Sequence, residues 1–214
     1  ERAANKGKKP TLTAIEVDRL KVILILGLFV IIFWAGFEQA GGLMNLYAND
    51  YTDRMIGGFE VPVAWFQSLN PFFIITFAPI VSMIWVKMGP KEPTSPVKFA
   101  MALLMLAIGF VFMIFATLEQ GGDLTVKTSM YWLIGAYFFH TLGELCLSPI
   151  GLSMITKLAP LRLASLMMGA WFGFNAIANK VAGMIGAQIG EAGPMAIFGG
   201  ITVAAEISSL ILFA

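Results

Sequence analysis

The sequence predicts an all-α membrane protein, a bundle of six transmembrane helices, and three observations carry that prediction. Of 214 residues, 58% are hydrophobic and only 13% charged, with a mean hydropathy of +0.81, against about 25% charged residues in ordinary soluble domains. The apolar residues also come in long runs. Val22 to Phe37, Val61 to Val86, Phe99 to Leu118 and Leu163 to Asn179 contain no Asp, Glu, Lys or Arg, and Thr128 to Thr156 and Ala192 to Ala214 each contain a single Glu. A span needs roughly 20 apolar residues to cross the hydrocarbon core, so six crossings are expected, at approximately 21–45, 62–87, 98–118, 128–156, 163–188 and 194–214. Third, cationic and acidic connections alternate along the chain.

Continuous apolar runs of this length do not fit a transmembrane barrel, whose strands alternate over about ten residues. The single Cys146 excludes an intrachain disulfide, and a net charge of +1 gives no reason to expect a nucleic-acid partner. Basic residues mark cytoplasmic connections. They cluster at Arg2, Lys6, Lys8, Lys9, Arg19 and Lys21, then at Lys87, Lys91 and Lys98, then at Lys157 and Arg162. The intervening connections hold Asp50, Asp53 and Glu60, then Glu119 and Asp123, then Glu191, opposed only by Arg54 and Lys127. The expectation is a multi-pass protein of the cell membrane with both ends of this segment cytoplasmic. Residues 1–20 read as a polar linker arriving from an N-terminal half outside this chain, and residues 21–214 as the bundle. Trp65, Trp85 and Trp132 fall at span ends, where indoles prefer the interface. Trp34 and Trp171 fall inside the first and fifth spans, where an indole N–H needs a partner or a cavity.

Ionisable groups inside spans are costly unless they face a cavity or a partner, so each is a candidate functional group. Glu38 closes the first span, and Glu144 lies about midway along the fourth, one turn after His140. Burial raises a carboxyl pKa and a nearby cation lowers it, so such a group can hold a proton in one conformation and an ion pair in another. The competing readings are an interfacial residue for Glu38 and a structural ion pair for Glu144. His140 reads as a hydrogen-bonded packing residue or as part of a proton path. Lys180 is placed to snorkel to the outer surface, and Glu206 has no explanation. Secondary transporters are often built of repeats with sites at corresponding positions. Two triplets of spans put Glu38 and Glu144 on the two first helices, and Asn70 and the Trp171-to-Asn175 face on the two second helices. Pro71, Pro79 and Pro149 lie inside spans, where a missing N–H permits bending. Gly169-x-x-x-Gly173 and Gly186-x-x-x-Gly190 match patterns of helix contact.

These residues resemble the second half of the proton-dependent oligopeptide transporter family of the major facilitator superfamily. Phe33-Trp34-Ala35-Gly36-Phe37-Glu38-Gln39-Ala40-Gly41 resembles the family's seventh helix, and Gln67-Ser68-Leu69-Asn70-Pro71 its eighth. Gly143-Glu144-Leu145-Cys146-Leu147-Ser148-Pro149-Ile150-Gly151-Leu152-Ser153, with Thr156-Lys157-Leu158-Ala159-Pro160 after it, resembles the tenth. Met168-Gly169-Ala170-Trp171-Phe172 resembles the eleventh. The resemblance implies one half of a major facilitator fold, made of two inverted three-helix repeats, and proton-coupled symport of di- and tripeptides by alternating access. It implies that Glu144 and Asn70 receive the peptide's amino terminus, that Trp34 and Trp171 wall the cavity, and that Glu38 pairs with a basic residue of the N-terminal half. Asn175 stands where the family often places a small polar group. No cofactor is implied beyond the coupling protons. The family's acidic and arginine motif on its first helix has no counterpart here, so half of the site is expected.

An intramembrane enzyme is disfavoured, since Gly151-Leu152-Ser153 continues to Met154 rather than Gly and one histidine cannot build a multi-His metal site. The remaining alternative is a self-assembling six-helix channel or a homodimeric carrier of another solute.

Overall fold

The computed structural model describes residues 12–123 and 125–214. Six of its helices are long and apolar enough to cross a membrane. The first, α1 (Ala14–Phe37), starts inside the stretch expected to be linker. The reason is local: the Thr13 hydroxyl accepts from the Glu16 N–H at 3.3 Å while the Glu16 carboxylate accepts from the Thr13 N–H at 2.8 Å. This reciprocal cap satisfies two orphan donors and sets the helix start ahead of residue 21. The rest of the expected linker, residues 1–11, lies outside the described residues.

After α1 the chain makes one 3-10 turn, Glu38–Ala40, and resumes as α2 (Leu43–Asp50). The expected first span is therefore broken at Glu38 to Gly42. Two small strand pairings follow. Strand β1 (Thr52–Asp53) runs parallel to β4 (Thr128–Ser129), and β2 (Met55–Ile56) forms a hairpin with β3 (Phe59–Glu60). Arg54 braces the hairpin, donating to Glu60 at 2.5 Å and to the Val61 carbonyl at 2.6 Å. The second crossing is α3 (Val63–Gln67) continued at a small offset by α4 (Leu69–Met88). Pro71 falls in the first turn of α4, where no intrahelical N–H bond is lost, so only Pro79 and Pro149 of the three prolines lie inside helices.

The remaining crossings are α5 (Ser95–Glu119), α6 (Met130–Leu158), α7 (Ala164–Gly186) and α8 (Ile189–Phe213). Gly193 breaks α8 with φ of 77° just before Pro194, so its regular part starts near the expected residue 194. Connections between crossings are short, so successive helices run antiparallel. Among the described residues, the antiparallel succession puts the basic connections at one end of the bundle and the acidic ones at the other. Glu16 and Arg162 pair at 3.0 Å at the basic end. Thr128 donates its N–H to the Tyr51 carbonyl at 2.8 Å at the acidic end.

Packing follows two triplets, α1–α4–α5 and α6–α7–α8. The first helix of each lies against the second of the other, α1 on α7 and α4 on α6, while the third helices α5 and α8 run side by side and α5 also lines α6. That exchange is what a two-fold relation between inverted triplets produces. The core is apolar and centred on α5, with Phe99, Leu103, Leu106, Phe110 and Met113 fully buried. Ser209 adds a hydrogen bond to the Ala100 carbonyl at 2.7 Å between α8 and α5. Helix α4 has no buried residue. It is held to α6 by Phe73 and Phe77 packing edge-on against Phe138 at 5.6 and 5.3 Å.

The glycine patterns on α7 and at the start of α8 do not make helix contacts here. A Cβ at Gly169, Gly173 or Gly190 would meet nothing within 4 Å, and one at Gly186 only the Gln39 side chain. Helix α7 turns Trp171, Ala178 and Ala182 inward instead, which leaves Gly169 and Gly173 on its outer face. Lys180 and Glu206 are both exposed. Lys98, expected in a basic cytoplasmic connection at the start of the third span, is 3% exposed: it pairs with Glu92 and lies 4.8 Å above the Trp85 ring.

Candidate functional site

Helix α6 carries Tyr137, His140, Thr141 and Glu144 at spacings of three and four, so all four share one face. That face looks toward α1 and toward the α3–α4 crossing. Asn70, in the first turn of α4, donates its Nδ2 to Glu144 Oε2 at 2.8 Å and lies 3.2 Å from Thr141 Oγ1. Thr141 in turn donates to the Tyr137 carbonyl at 2.7 Å, and the Tyr137 hydroxyl donates to the Ala40 carbonyl at 3.0 Å. A chain of polar contacts thus joins Glu144 to the turn that carries Glu38. Glu144, half-buried, thus accepts a hydrogen bond from a side-chain amide of the neighbouring helix.

Between these groups lies a cavity of about 150 Å³ lined by Phe37, Glu38, Gln67, Asn70, His140 and Thr141, together with Ala40, Gly41 and Tyr137. Glu38 and Asn70 therefore face the same space, and Glu38 and Glu144 lie within electrostatic range of each other. Glu38 also borders a second cavity, of about 330 Å³, against Asn179, Ala182 and Gly183 of α7. The 3-10 turn that presents Glu38 is tied to α7 by Gln39, which donates to the Ala35 and Ala182 carbonyls at 3.0 and 3.1 Å. Among the described residues, no cation pairs with either carboxylate.

The aromatic candidates are placed differently. Trp34 is half-buried, edge-on to Phe33 and Phe37 at 5.6 and 5.1 Å, with its Nε1 buried and without a hydrogen bond. Trp171 is 3% exposed and covers Gly151 of α6, where a Cβ would collide with the indole. Neither ring lines the cavity shared by Glu38 and Asn70. Asn175 donates to the Trp171 carbonyl at 2.9 Å within α7. Sequence reasoning did not single out Tyr137, Thr141 or Gln67. The signal was available for the first two, since they precede Glu144 at helical spacing on its own face.

A multi-pass helical membrane protein, with polar groups gathered on one side of a crossed pair of helix triplets, is what the fold and this site define. The family model described as "POT family" matches residues 6–197, and the chain belongs to that family. The peptide transporter YePEPT of Yersinia enterocolitica is 45% identical over 176 residues, which are 80% of this chain and 34% of that protein. Dipeptide and tripeptide permease A of Escherichia coli is 35% identical over 171 residues, 78% of this chain and 34% of that protein. A crystal structure of peptide transporter POT in complex with sulfate superposes with a TM-score of 0.89 at 38% identity, covering 96% of this chain and 41% of that one. One of a POT family transporter in complex with 5-aminolevulinic acid gives 0.88 at 32% identity, covering 96% and 42%. The fold is accordingly one half of a major facilitator bundle. The chain spans about a third of the length of the curated relatives it matches.

Proposed function

We propose that the full-length protein to which this chain belongs is a proton-coupled symporter of di- and tripeptides, and that residues 14–213 supply the C-terminal half of its central site. The observation that carries the reading is the half-buried Glu144, hydrogen-bonded at 2.8 Å by Asn70, whose own side chain lines a cavity with Glu38. A peptide's ammonium group is the cation that such a carboxylate and amide carbonyl fit. In this reading Glu144 and Asn70 bind the amino terminus, Asn175 adds a polar contact, Trp34 borders a side-chain pocket, and Trp171, packed over Gly151 in this conformation, would border one only after a change of conformation. Glu38 pairs with a basic residue of the N-terminal half and exchanges that partner for a proton.

Alternating access moves the two six-helix halves against one another, because major facilitator substrates bind between them, and the groups named here stand on the half that this chain supplies. The basic end of the bundle faces the cytoplasm by the excess of Lys and Arg there, which puts both ends of this segment on that side of the cell membrane. The test is uptake of labelled dialanine by the full-length protein in liposomes under an inward proton gradient. Accumulation in wild type that collapses when the gradient is dissipated is the expected result. Uptake that ignores the gradient would remove the coupling, and no uptake would remove the peptide.

A further inference from the structure

Helices α1, α7 and α8 border a groove of about 380 Å³ that nothing in the peptide-binding scheme uses. On α1 it is lined by Ile31, Ile32, Ala35 and Gly36, which at about 100° per residue lie nearly opposite Trp34 and Phe37. On α7 it is lined by Val181, Ile185 and Gln188, a stripe nearly opposite Asn179, Gly183 and Gly186, which border the second cavity of Glu38. The α1–α7 pair therefore separates a polar side from an apolar one. The floor of the groove is tight, since a Cβ at Gly36 would meet Leu106 at 2.9 Å and Ile201 at 3.2 Å. The α8 wall is built of small side chains, Ala196, Gly200 and Ala204, and a Cβ at Gly200 would meet nothing within 4 Å.

Chemistry, length and direction together name the occupant. Among the described residues, Gln188 is the only lining residue with a polar side chain, and it stands at the α7–α8 connection. Apolar spaces stay dry and take apolar ligands, and side chains bordering unfilled space forfeit dispersion contacts. From Ala192 to Ala204 the groove runs about 18 Å along α8 at about 1.5 Å per residue. Half of a hydrocarbon core of about 30 Å is about 15 Å, so the groove has the depth of one leaflet. It begins at the acidic end, beside Glu191, and ends near the middle of α8. Substrates of this superfamily bind between the two halves, so the N-terminal half stands on the polar side and the groove opens away from it, into the bilayer.

We propose that this groove is a phospholipid site. It holds one acyl chain from the leaflet at the acidic end, laid between α7 and α8 against α1, with the Gln188 amide donating to ester or phosphate oxygens at the interface. Lipid on the outer faces of the bundle touches one helix surface, whereas this chain is enclosed by three helices and exchanges more slowly. It covers Ala35 and Gly36, just ahead of the turn that carries Glu38, and so supports that turn from behind. The inference goes beyond the transport reading and does not depend on it.

The test places the full-length protein in phosphatidylcholine vesicles that contain a small fraction of phosphatidylcholine with a photoactivatable diazirine midway along one acyl chain. Labelled residues are mapped by mass spectrometry, before and after a chase with unlabelled lipid. In wild type, labelling is expected at 31–36, 181–188 and 196–204, and it should outlast the chase that clears label from the exposed Phe115 and Leu118 of α5 at the same end. Gly200→Phe and Ala204→Phe fill the groove and should lose its labelling while α5 is labelled as before; Gly200→Ala should keep it. Groove labelling that clears as fast as that of α5 would overturn the site. So would wild-type labelling of the groove in both phenylalanine variants, or an unlabelled groove in wild type, which coverage by the N-terminal half or by a second copy predicts. If the variants do not fold, the wild-type map and its chase decide the matter alone.

Discussion

Glu38 and Glu144 sit on the first helices of the two triplets, yet the chain treats them differently. Glu144 lies in the middle of a continuous helix and is gripped by Asn70 from the opposite triplet at 2.8 Å. Glu38 lies where α1 gives way to a 3-10 turn. Among the described residues nothing donates to its carboxylate, although the side-chain amide nitrogen of its neighbour Gln39 donates to two carbonyls. The difference teaches how a repeated architecture can divide labour. A carboxylate with an internal hydrogen-bond donor is held in one geometry and suits recognition of a ligand cation. A carboxylate at a helix break, bordering two cavities, is free to change partners and suits a switch.

The largest expected effect breaks this comparison most directly. Glu144→Gln in the full-length protein should weaken dialanine binding by about ten- to a hundred-fold, since a charge-assisted contact is worth about 1.5–3 kcal/mol. Glu38→Gln should leave binding near wild type and abolish the response of uptake to the proton gradient. Equal affinity losses in the two variants, measured by calorimetry, would erase the distinction between them.

A smaller effect sharpens the account of Glu144. Asn70→Ala removes the amide that orients the carboxylate, a contact worth about 1 kcal/mol, so binding should fall about five-fold with gradient dependence retained. An Asn70→Ala protein that binds dialanine like wild type would show that Glu144 is positioned without it. The smallest effect concerns the Glu38 turn. Tyr137→Phe deletes the bond to the Ala40 carbonyl and should lower thermal stability by about 0.5–1.5 kcal/mol. It should also reduce driven uptake more than counterflow, because the turn it anchors carries Glu38. A Tyr137→Phe protein that loses both activities equally would place the hydroxyl in general packing.

Several of these features were legible before any fold was known. Charge-free runs and alternating basic and acidic connections are one-dimensional signals, and six helices long and apolar enough to cross a membrane overlap those runs. The polar residues in those runs were legible for the same reason: a Glu in lipid is conspicuous wherever it occurs. Local chemistry corrected the edges. The Thr13–Glu16 cap moved the first helix into the expected linker, and the turn at Glu38 to Gly42 divided what looked like one span.

What composition and order along the chain determined by themselves was the number of helices long and apolar enough to cross a membrane and the small set of groups that hydrocarbon would not tolerate, because each depends only on residues close in sequence. Tertiary structure alone decided which of those groups meet. The bond from Asn70 to Glu144 links residues 74 positions apart, the notch that receives His140 belongs to another helix, and Trp171 closes over Gly151 instead of standing open. An apolar run presents many equivalent faces to lipid, and only the interlocking of side chains between helices selects the one turned inward.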